Sequence, residues 1–230
     1  YLGAMVRGRI GSRFDGIDIL YVEAPDYATT NNIRSLWDAR DYLDQDIVLL
    51  EADVAFDAAV VGTLLAQSGS SAAVAPYEPP LSGTVVRRNG AGQATSFVLG
   101  AEQGLQFVTK DTFKTVNIYV LREQLLREQF LPRLSNAIAA GRVNEYYETI
   151  LRDCVADPSA EVDIAAVDVS ASRWSEIDDD RDLDAAEFLF LDRDAQYDRV
   201  QQLHGAYWRY GFVDHSYLYN MHFPPPDMLE

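Results

Sequence analysis

The stretch that most constrains this chain is Asp46–Asp53, DIVLLEAD, in which four consecutive apolar β-formers run into two carboxylates. An uninterrupted apolar run of this length suits a strand covered on both faces, because alternation would appear if one face were wet. Other segments repeat the theme. Gly16–Glu23 (GIDILYVE) predicts a buried strand, and Ser71–Pro76 (SAAVAP) another. Between them lie helical patterns. Thr30-Asn31-Asn32 offers side chains that accept the orphan N–H groups of a helix start, and Ile33, Leu36, Trp37 and Leu43 follow at helical spacing. Ala58–Gln67 predicts the next helix. Strand, helix, strand, helix, strand implies parallel strands joined by right-handed crossovers.

The middle of the chain changes character. Gly83–Arg88 and Ala94–Leu99 flank Asn89-Gly90-Ala91-Gly92, a hairpin signature. Thr115–Leu121 (TVNIYVL) predicts a strong strand. Glu123–Ala140 and Val143–Cys154 predict two helices separated by Gly141, Glu161–Val169 a half-buried strand, and Asp182–Leu191 a closing helix. From about Tyr197 onward Tyr, Trp, His and Pro crowd together without helical or alternating period, which reads as a connector or the opening of another domain. The chain starts at Tyr1 without a signal peptide and stops at PPPDMLE, so both edges are expected to be cuts in something longer.

Charge narrows the function classes. Against 19 basic residues stand 36 acidic ones, a formal charge of −17, which argues against the phosphate-neutralising surface that nucleic acid requires. Such a protein can still accept a polyphosphate when a divalent cation sits between them. No apolar run approaches the length of a membrane span. Cys154 is the one cysteine, which excludes an internal disulfide and fits a reducing cytoplasm. It lies among apolar residues in ETILRDCVA and reads as a buried small hydrophobe. His204, His215 and His222 have no metal-ligand spacing.

The residues that could carry chemistry cluster at strand ends. In open α/β sheets ligands bind outside the carboxyl ends of strands, so Glu51 and Asp53 are expected to face a cleft. Glu176-Ile177-Asp178 repeats the arrangement far away in sequence. Two carboxylates converging from such positions would suit magnesium, a hard ion that takes oxygen ligands and keeps waters alongside substrate phosphates. Each is equally readable as an exposed acid in an acid-rich chain. Asn31 and Asn32 offer amides at a helix start, though plain capping explains Asn31. Lys114 and Asn117, in FKTVNIY, put a cation and an amide at a strand edge; Lys110 and Lys114 are the only lysines, and a solvent-facing Lys114 is the bland alternative.

Taken in order, these segments resemble a family. DYATTNNIRSLWDAR followed by DIVLLEADVAF, then FKTVNIY, EYYE (Glu145–Glu148) and WSEIDDDRDLDAAE (Trp174–Glu187), are similar to the sugar-phosphate-type nucleotidyltransferases. The nearest group is the small cytidylyltransferases acting on phosphocholine and on phosphonates such as 2-aminoethylphosphonate. The likeness spans about residues 1–190. It implies a mixed, mainly parallel sheet flanked by helices, the nucleotide-diphospho-sugar transferase-like fold, here expected to lack its N-terminal βα unit. It also implies that Asp53 and Asp178 bind magnesium, that Asn31 and Asn32 stand beside the cleft, and that Lys114, Thr115 and Asn117 lie on the acceptor side. Glu51 and Glu176, from their strand-end positions, are expected to line the nucleotide or substrate site. The family's glycine-rich triphosphate loop has no counterpart, so it would lie before residue 1, and the chain alone would be inactive.

The last segment, LHGAYWRYGFVDHSYLYNMHFPPPDML, resembles the entry to pyridoxal-phosphate-dependent aminotransferases of the histidinol-phosphate type. The expected domains are therefore 1–192, a nucleotidyltransferase, and 193–230, a linker and the start of an aminotransferase, with pyridoxal phosphate bound only if that downstream domain is present. The expected partners are a nucleoside triphosphate and a small anionic acceptor, with neither nucleic acid nor membrane; a homodimer is compatible with them. The rivals are a sugar-phosphate nucleotidyltransferase using another nucleotide, and a non-catalytic docking domain.

Overall fold

The structure, a computed structural model, describes residues 2–77, 81–104 and 106–210, with the side chains of 203–210 excepted. It opens with α1 (Gly3–Ile10), all of whose residues are exposed, and a small hairpin, β1 (Arg13–Phe14) and β2 (Ile17–Asp18). Here the buried strand expected over Gly16–Glu23 does not form. Asp15 and Gly16 both take positive φ, 46° and 85°, the conformation of the tight turn that Asp-Gly favours. The apolar run is cut by that turn, and Ile17 and Leu20 are 66% and 71% exposed.

Next come α2 (Asn32–Asp38), β3 (Ile47–Leu50), β4 (Val54–Phe56), α3 (Ala59–Leu65), β5 (Ser70–Pro76), and the hairpin of β6 (Val85–Arg88) and β7 (Ala94–Val98). β8 (Phe113–Leu121) leads into α4 (Glu123–Leu125), a π-helical turn over Leu126–Phe130, and α5 (Leu131–Ala139). The chain closes with α6 (Glu148–Ala156), β9 (Ile164–Asp168), β10 (Trp174–Glu176), α7 (Asp180–Phe190) and α8 (Arg193–Tyr210). It forms two compact units, one of residues 1–50 and 60–170, the other of residues 51–59 and the segment from 171 onward.

The first unit is built on a six-stranded mixed sheet in the order β7-β6-β8-β5-β9, with β3 also paired to β8. β3, β5, β6 and β9 run one way and β7 and β8 the other. Most strands are thus co-directional, as expected. But β8 is inserted between β3 and β5, so among neighbouring strands only β5 and β9 pair parallel, and simple β3-to-β5 adjacency by crossover is not realised.

β5 and β8 are buried nearly throughout, but β3 is not covered on both faces as its apolar run predicts. Val48 and Leu50 are exposed, because among the described residues that face of this strand carries no covering layer dense enough to bury them. Ile47 and Leu49 of β3 pack toward the core with Tyr119, Leu121, Ala72 and Val74, and under α2, α5 and α6 this face gathers Ile33, Leu126, Phe130, Leu134, Ile150 and Leu151. Each fully buried side chain of this size contributes about 1.5–3 kcal/mol. On the opposite face, Ser71 of β5 donates its hydroxyl to the Leu64 carbonyl of α3 at 3.3 Å. Arg122 at the end of β8 closes this side: it donates to the carbonyls of Gln67 (2.6 Å) and Leu65 (3.4 Å) just past and at the end of α3, and to Asp46 (3.0 Å).

β8 is irregular where it matters. Its register with β5 shifts between Ala72 and Val74, and between them Asn117 sits at φ +58°, in the left-handed region, mid-strand. Toward its start β8 pairs with β6, and beyond Asn117 with β3.

The second unit is a ribbon and two helices. β4 and β10 pair antiparallel, Val54 opposite Glu176 and Phe56 opposite Trp174. α7 starts at a capping box: the Asp179 carboxylate accepts from the Arg181 and Asp182 amides, while Asp182 accepts from the Asp179 amide. α8 corrects the expectation of an aperiodic segment after Tyr197. Arg-Asp-Ala-Gln-Tyr-Asp-Arg-Val-Gln-Gln is rich in helix formers, and Asp192 caps it by accepting from the Ala195 amide at 2.8 Å. The FPPP portion of the aminotransferase resemblance lies outside the described residues.

Candidate functional site

Asp53 and Asp178, 125 residues apart in sequence, are brought to one end of the β4–β10 ribbon. The Ile177 amide donates to the Asp53 carbonyl at 2.8 Å, continuing by one step the register in which Val54 faces Glu176. Asp178 is the next residue, directly before the Asp179 cap of α7. Both aspartates are exposed, and among the described residues neither carboxylate makes a hydrogen bond or an ion pair. Two acids nearby in sequence, by contrast, are committed. Asp57 is forked by Arg173, Asp46 by Arg122 and the Glu123 amide, and each of these carboxyls is held below its usual range mainly by those hydrogen bonds. Glu51, between β3 and β4, and Glu176, in β10, are half-buried at the same ribbon end.

The donor set at this end is oxygen only. Two exposed, uncommitted carboxylates with half-buried glutamates beside them fit a hard divalent ion that keeps part of its water and takes phosphate oxygens. Among the described residues no group of three or more His, Cys, Asp or Glu is placed to hold a metal ion.

Asn31 and Asn32 occupy the start of α2 in the first unit. Asn31 is the cap, its side chain accepting from the Asn32 amide at 2.7 Å. Asn32 reaches across: its Oδ1 accepts from the Tyr147 amide at 2.9 Å, within the EYYE stretch. The Asn31 amide donates to the Val143 carbonyl at 2.9 Å. This platform is braced by Arg142, which forks Glu145 at 2.7 and 2.6 Å and holds its carboxyl below the ordinary range. The asparagine pair is therefore used in part to dock the 143–147 loop, a role that spacing alone did not suggest.

Lys114 is not solvent-facing. It is 1% exposed within β8, opposite Ala75 and Val85, and its Nζ donates to the Thr115 carbonyl at 2.7 Å. Gly83 makes room for it: a Cβ there would stand 3.2 Å from both Cε and Nζ, and Gly83 has φ +100° besides. Asn117 follows at the bulge, its Oδ1 accepting from the Thr115 hydroxyl at 2.8 Å. Thr115 is also tied to the Thr84 carbonyl. A buried ammonium, a strained amide and a hydroxyl thus stand within four residues. Strained backbone in such company is a recurrent property of binding sites. The sequence signal that would have found Gly83 and Thr84 is absent, because their role depends on which strand lies beside β8. Cys154 is buried as expected, and burial pushes its thiol up to about 12, which removes it as a nucleophile.

The predicted residues thus fall into two sets. Glu51, Asp53, Glu176 and Asp178 lie in the second unit, at one end of its ribbon, and Asn31, Asn32, Lys114 and Asn117 belong to the first. Among the described residues no helix is long and apolar enough to cross a membrane.

No family model matches the chain. Over 232 residues it is 42% identical to a CMP-5'-(3-aminopropyl)phosphonate synthase of Streptomyces rubellomurinus, an alignment that takes in 100% of this chain and 36% of the relative. The chain therefore spans about a third of that relative's length. Among solved structures it is similar to the CTP:phosphocholine cytidylyltransferase of Streptococcus pneumoniae, with TM-score 0.60 at 12% identity over 82% of this chain and 73% of that one. It is likewise similar to the inositol-1-phosphate CTP transferase of T. maritima, with TM-score 0.57 at 15% identity over 82% and 70%. The mixed sheet with its flanking helices is accordingly the fold of these nucleotidyltransferases, and along its whole length the chain resembles a synthase of a CMP-activated phosphonate.

Proposed function

We propose that this chain is the cytidylyl-transferring part of an enzyme that activates an aminoalkylphosphonate. A phosphonate oxygen attacks the α-phosphorus of CTP and forms a new P–O–P link. The bond from that phosphorus to the bridging β-oxygen breaks, and pyrophosphate leaves with the electron pair. The observation that carries this reading is the pair of uncommitted carboxylates, Asp53 and Asp178, at one end of a short ribbon. The names of the synthase and of the two solved structures support the choice of cytidylyl chemistry.

Asp53 and Asp178 would hold magnesium, with Glu51 and Glu176 supporting them. Bound there, the ion would offset the charge of the triphosphate and let an acidic protein accept an anionic nucleotide. The remaining work is positioning, for which no protein nucleophile is required. Within the sheet unit, Lys114 in β8 and Asn117 at the bulge are the residues assigned to the acceptor, and Asn31 and Asn32 those assigned to the nucleotide. The segment from residue 193 onward is the approach to an aminotransferase-like domain, where pyridoxal phosphate would be held.

Calorimetry of Mg-CTP binding to the full-length protein tests this directly. Asp53→Ala and Asp178→Ala should each abolish binding; unchanged binding in both variants rules the reading out. Turnover with CTP, UTP, GTP and ATP, against 3-aminopropylphosphonate and phosphocholine as acceptors, should select CTP and the phosphonate.

A further inference from the structure

We propose that Arg173 is a positioning residue for the Asp53–Asp178 pair: together with Asp57 it locks the register of the ribbon that brings the two aspartates to one end. The proposal rests on the cation-binding reading above.

β4 and β10 are three residues long, and every position in both is half-buried. Register is normally enforced by a buried face that a one-residue slip would turn to solvent. This ribbon has no such face, and three backbone pairs specify it weakly. Something else must choose between the observed alignment and its neighbours one residue either way. A slip would move the Asp53 backbone from opposite Ile177 to opposite Glu176 or Asp178, and so change its placement relative to the Asp179 cap that follows Asp178.

Arg173 supplies the missing specification at the far end. Its Nε and Nη2 fork the Asp57 carboxylate at 3.1 and 2.8 Å. The Arg173 amide donates to Asp57 Oδ2 at 3.0 Å, and the Asp57 amide donates back to the Arg173 carbonyl at 2.9 Å. Four polar contacts therefore join this one residue pair. The third guanidinium nitrogen donates to the Leu189 carbonyl at 3.4 Å, near the end of α7, and the guanidinium lies 5.0 Å from the Phe190 ring centroid. The start of β10, the end of β4 and the end of α7 are thereby referred to one side chain. α7 begins at Asp179, next to Asp178, so the same residue constrains both ends of the segment that carries Asp178.

The Arg173 and Asp57 side chains are 46% and 29% exposed, so the pair adds little net stability by itself. Its value lies in geometry, because a planar fork is satisfied in one alignment only.

Binding of Mn2+ alone to the full-length protein, followed by electron paramagnetic resonance and paired with thermal melting, tests the proposal without any turnover. Asp53→Asn serves as reference and should remove the bound ion. Arg173→Ala should weaken Mn2+ binding by on the order of tenfold or more, as loss of a residue that orients metal ligands commonly does. Its melting temperature should stay close to the parent's. Arg173→Lys should recover only part of the affinity, since an ammonium cannot fork a carboxylate. Exchanging the partners, Asp57→Arg with Arg173→Asp, should restore most of it. Wild-type Mn2+ affinity in Arg173→Ala, with binding lost in Asp53→Asn, overturns the register lock and leaves the metal reading standing. Unchanged affinity in both Asp53→Asn and Asp178→Asn overturns the metal reading and this inference with it. Where Arg173→Ala does not fold, the exchanged pair decides: restored Mn2+ binding supports the lock, and a folded exchange without binding overturns it.

Discussion

The two units of this chain are held by different physics. The sheet unit gathers nearly every buried apolar side chain, from Ile33 to Val169, around β8. In the ribbon unit, among the described residues, Ala186 alone is buried; β4 and β10 are joined by three backbone pairs, and the Arg173–Asp57 fork, which also reaches the Leu189 carbonyl, fixes their alignment. The difference teaches where rigidity and adaptability are placed. A buried sheet opens only with global unfolding, whereas an element with few apolar contacts can open locally. The candidate cation ligands lie on the adaptable element, and the buried Lys114 lies on the rigid one.

The sharpest way to break this comparison is to damage the sheet unit's core. Phe130→Ala removes a fully buried ring and should cost about 3–5 kcal/mol in urea unfolding. A loss below 1 kcal/mol would mean that the core does not carry that unit. A smaller effect is expected at the bulge. Asn117→Val forces a β-branched residue into φ +58° and should cost about 1–3 kcal/mol, while Asn117→Gly should cost much less. Equal losses for the two would show that the side chain, not the backbone, matters there.

The ribbon unit should respond in kind rather than in size. Arg173→Ala is expected to speed hydrogen exchange at the Asp57 and Ile177 amides while leaving those of β8 protected. If exchange speeds up in β8 as well, the two units are not independently stable; if it speeds up nowhere, the fork does not hold the ribbon. The smallest effect concerns acid. The Arg142 fork holds the Glu145 carboxyl below its ordinary 4.5. A depressed folded-state value means a stabilising contribution that is complete above the unfolded value and vanishes as pH falls through the folded one. Glu145→Gln should therefore lower the urea midpoint slightly at pH 7, and the difference from the parent should shrink as pH falls below the ordinary carboxylate range.

Particular elements show what could be read in advance. DIVLLEAD became β3 followed by the turn of Glu51 and Asp53, Asn31 became the cap of α2, and the Asn89–Gly92 hairpin formed as its turn residues dictate. Each is a local decision, in which the residues that choose the conformation are the ones that adopt it. GIDILYVE misled because Asp15-Gly16 favours a tight turn more strongly than an apolar run favours extension. The segment after Tyr197 misled because aromatic crowding masked a run of good helix formers. For the site, the acidic strand ends and the one notable lysine were legible as residue types. The burial of Lys114 was not, since it depends on Thr84 and Gly83 being delivered from another strand.

The sequence by itself determined the alternation of strands and helices, the caps and turns, the strong acidity, and the inertness of a cysteine set among apolar neighbours. These are consequences of side-chain volume, backbone preference and charge, which act over a few residues. Tertiary structure alone decided that β8 enters between β3 and β5, that Asn117 bends there, and that Asp53 stands across from Ile177. Those outcomes depend on hydrogen bonds between residues as far apart in sequence as Asp53 and Ile177, and pairings of that range are selected only by how the whole chain packs.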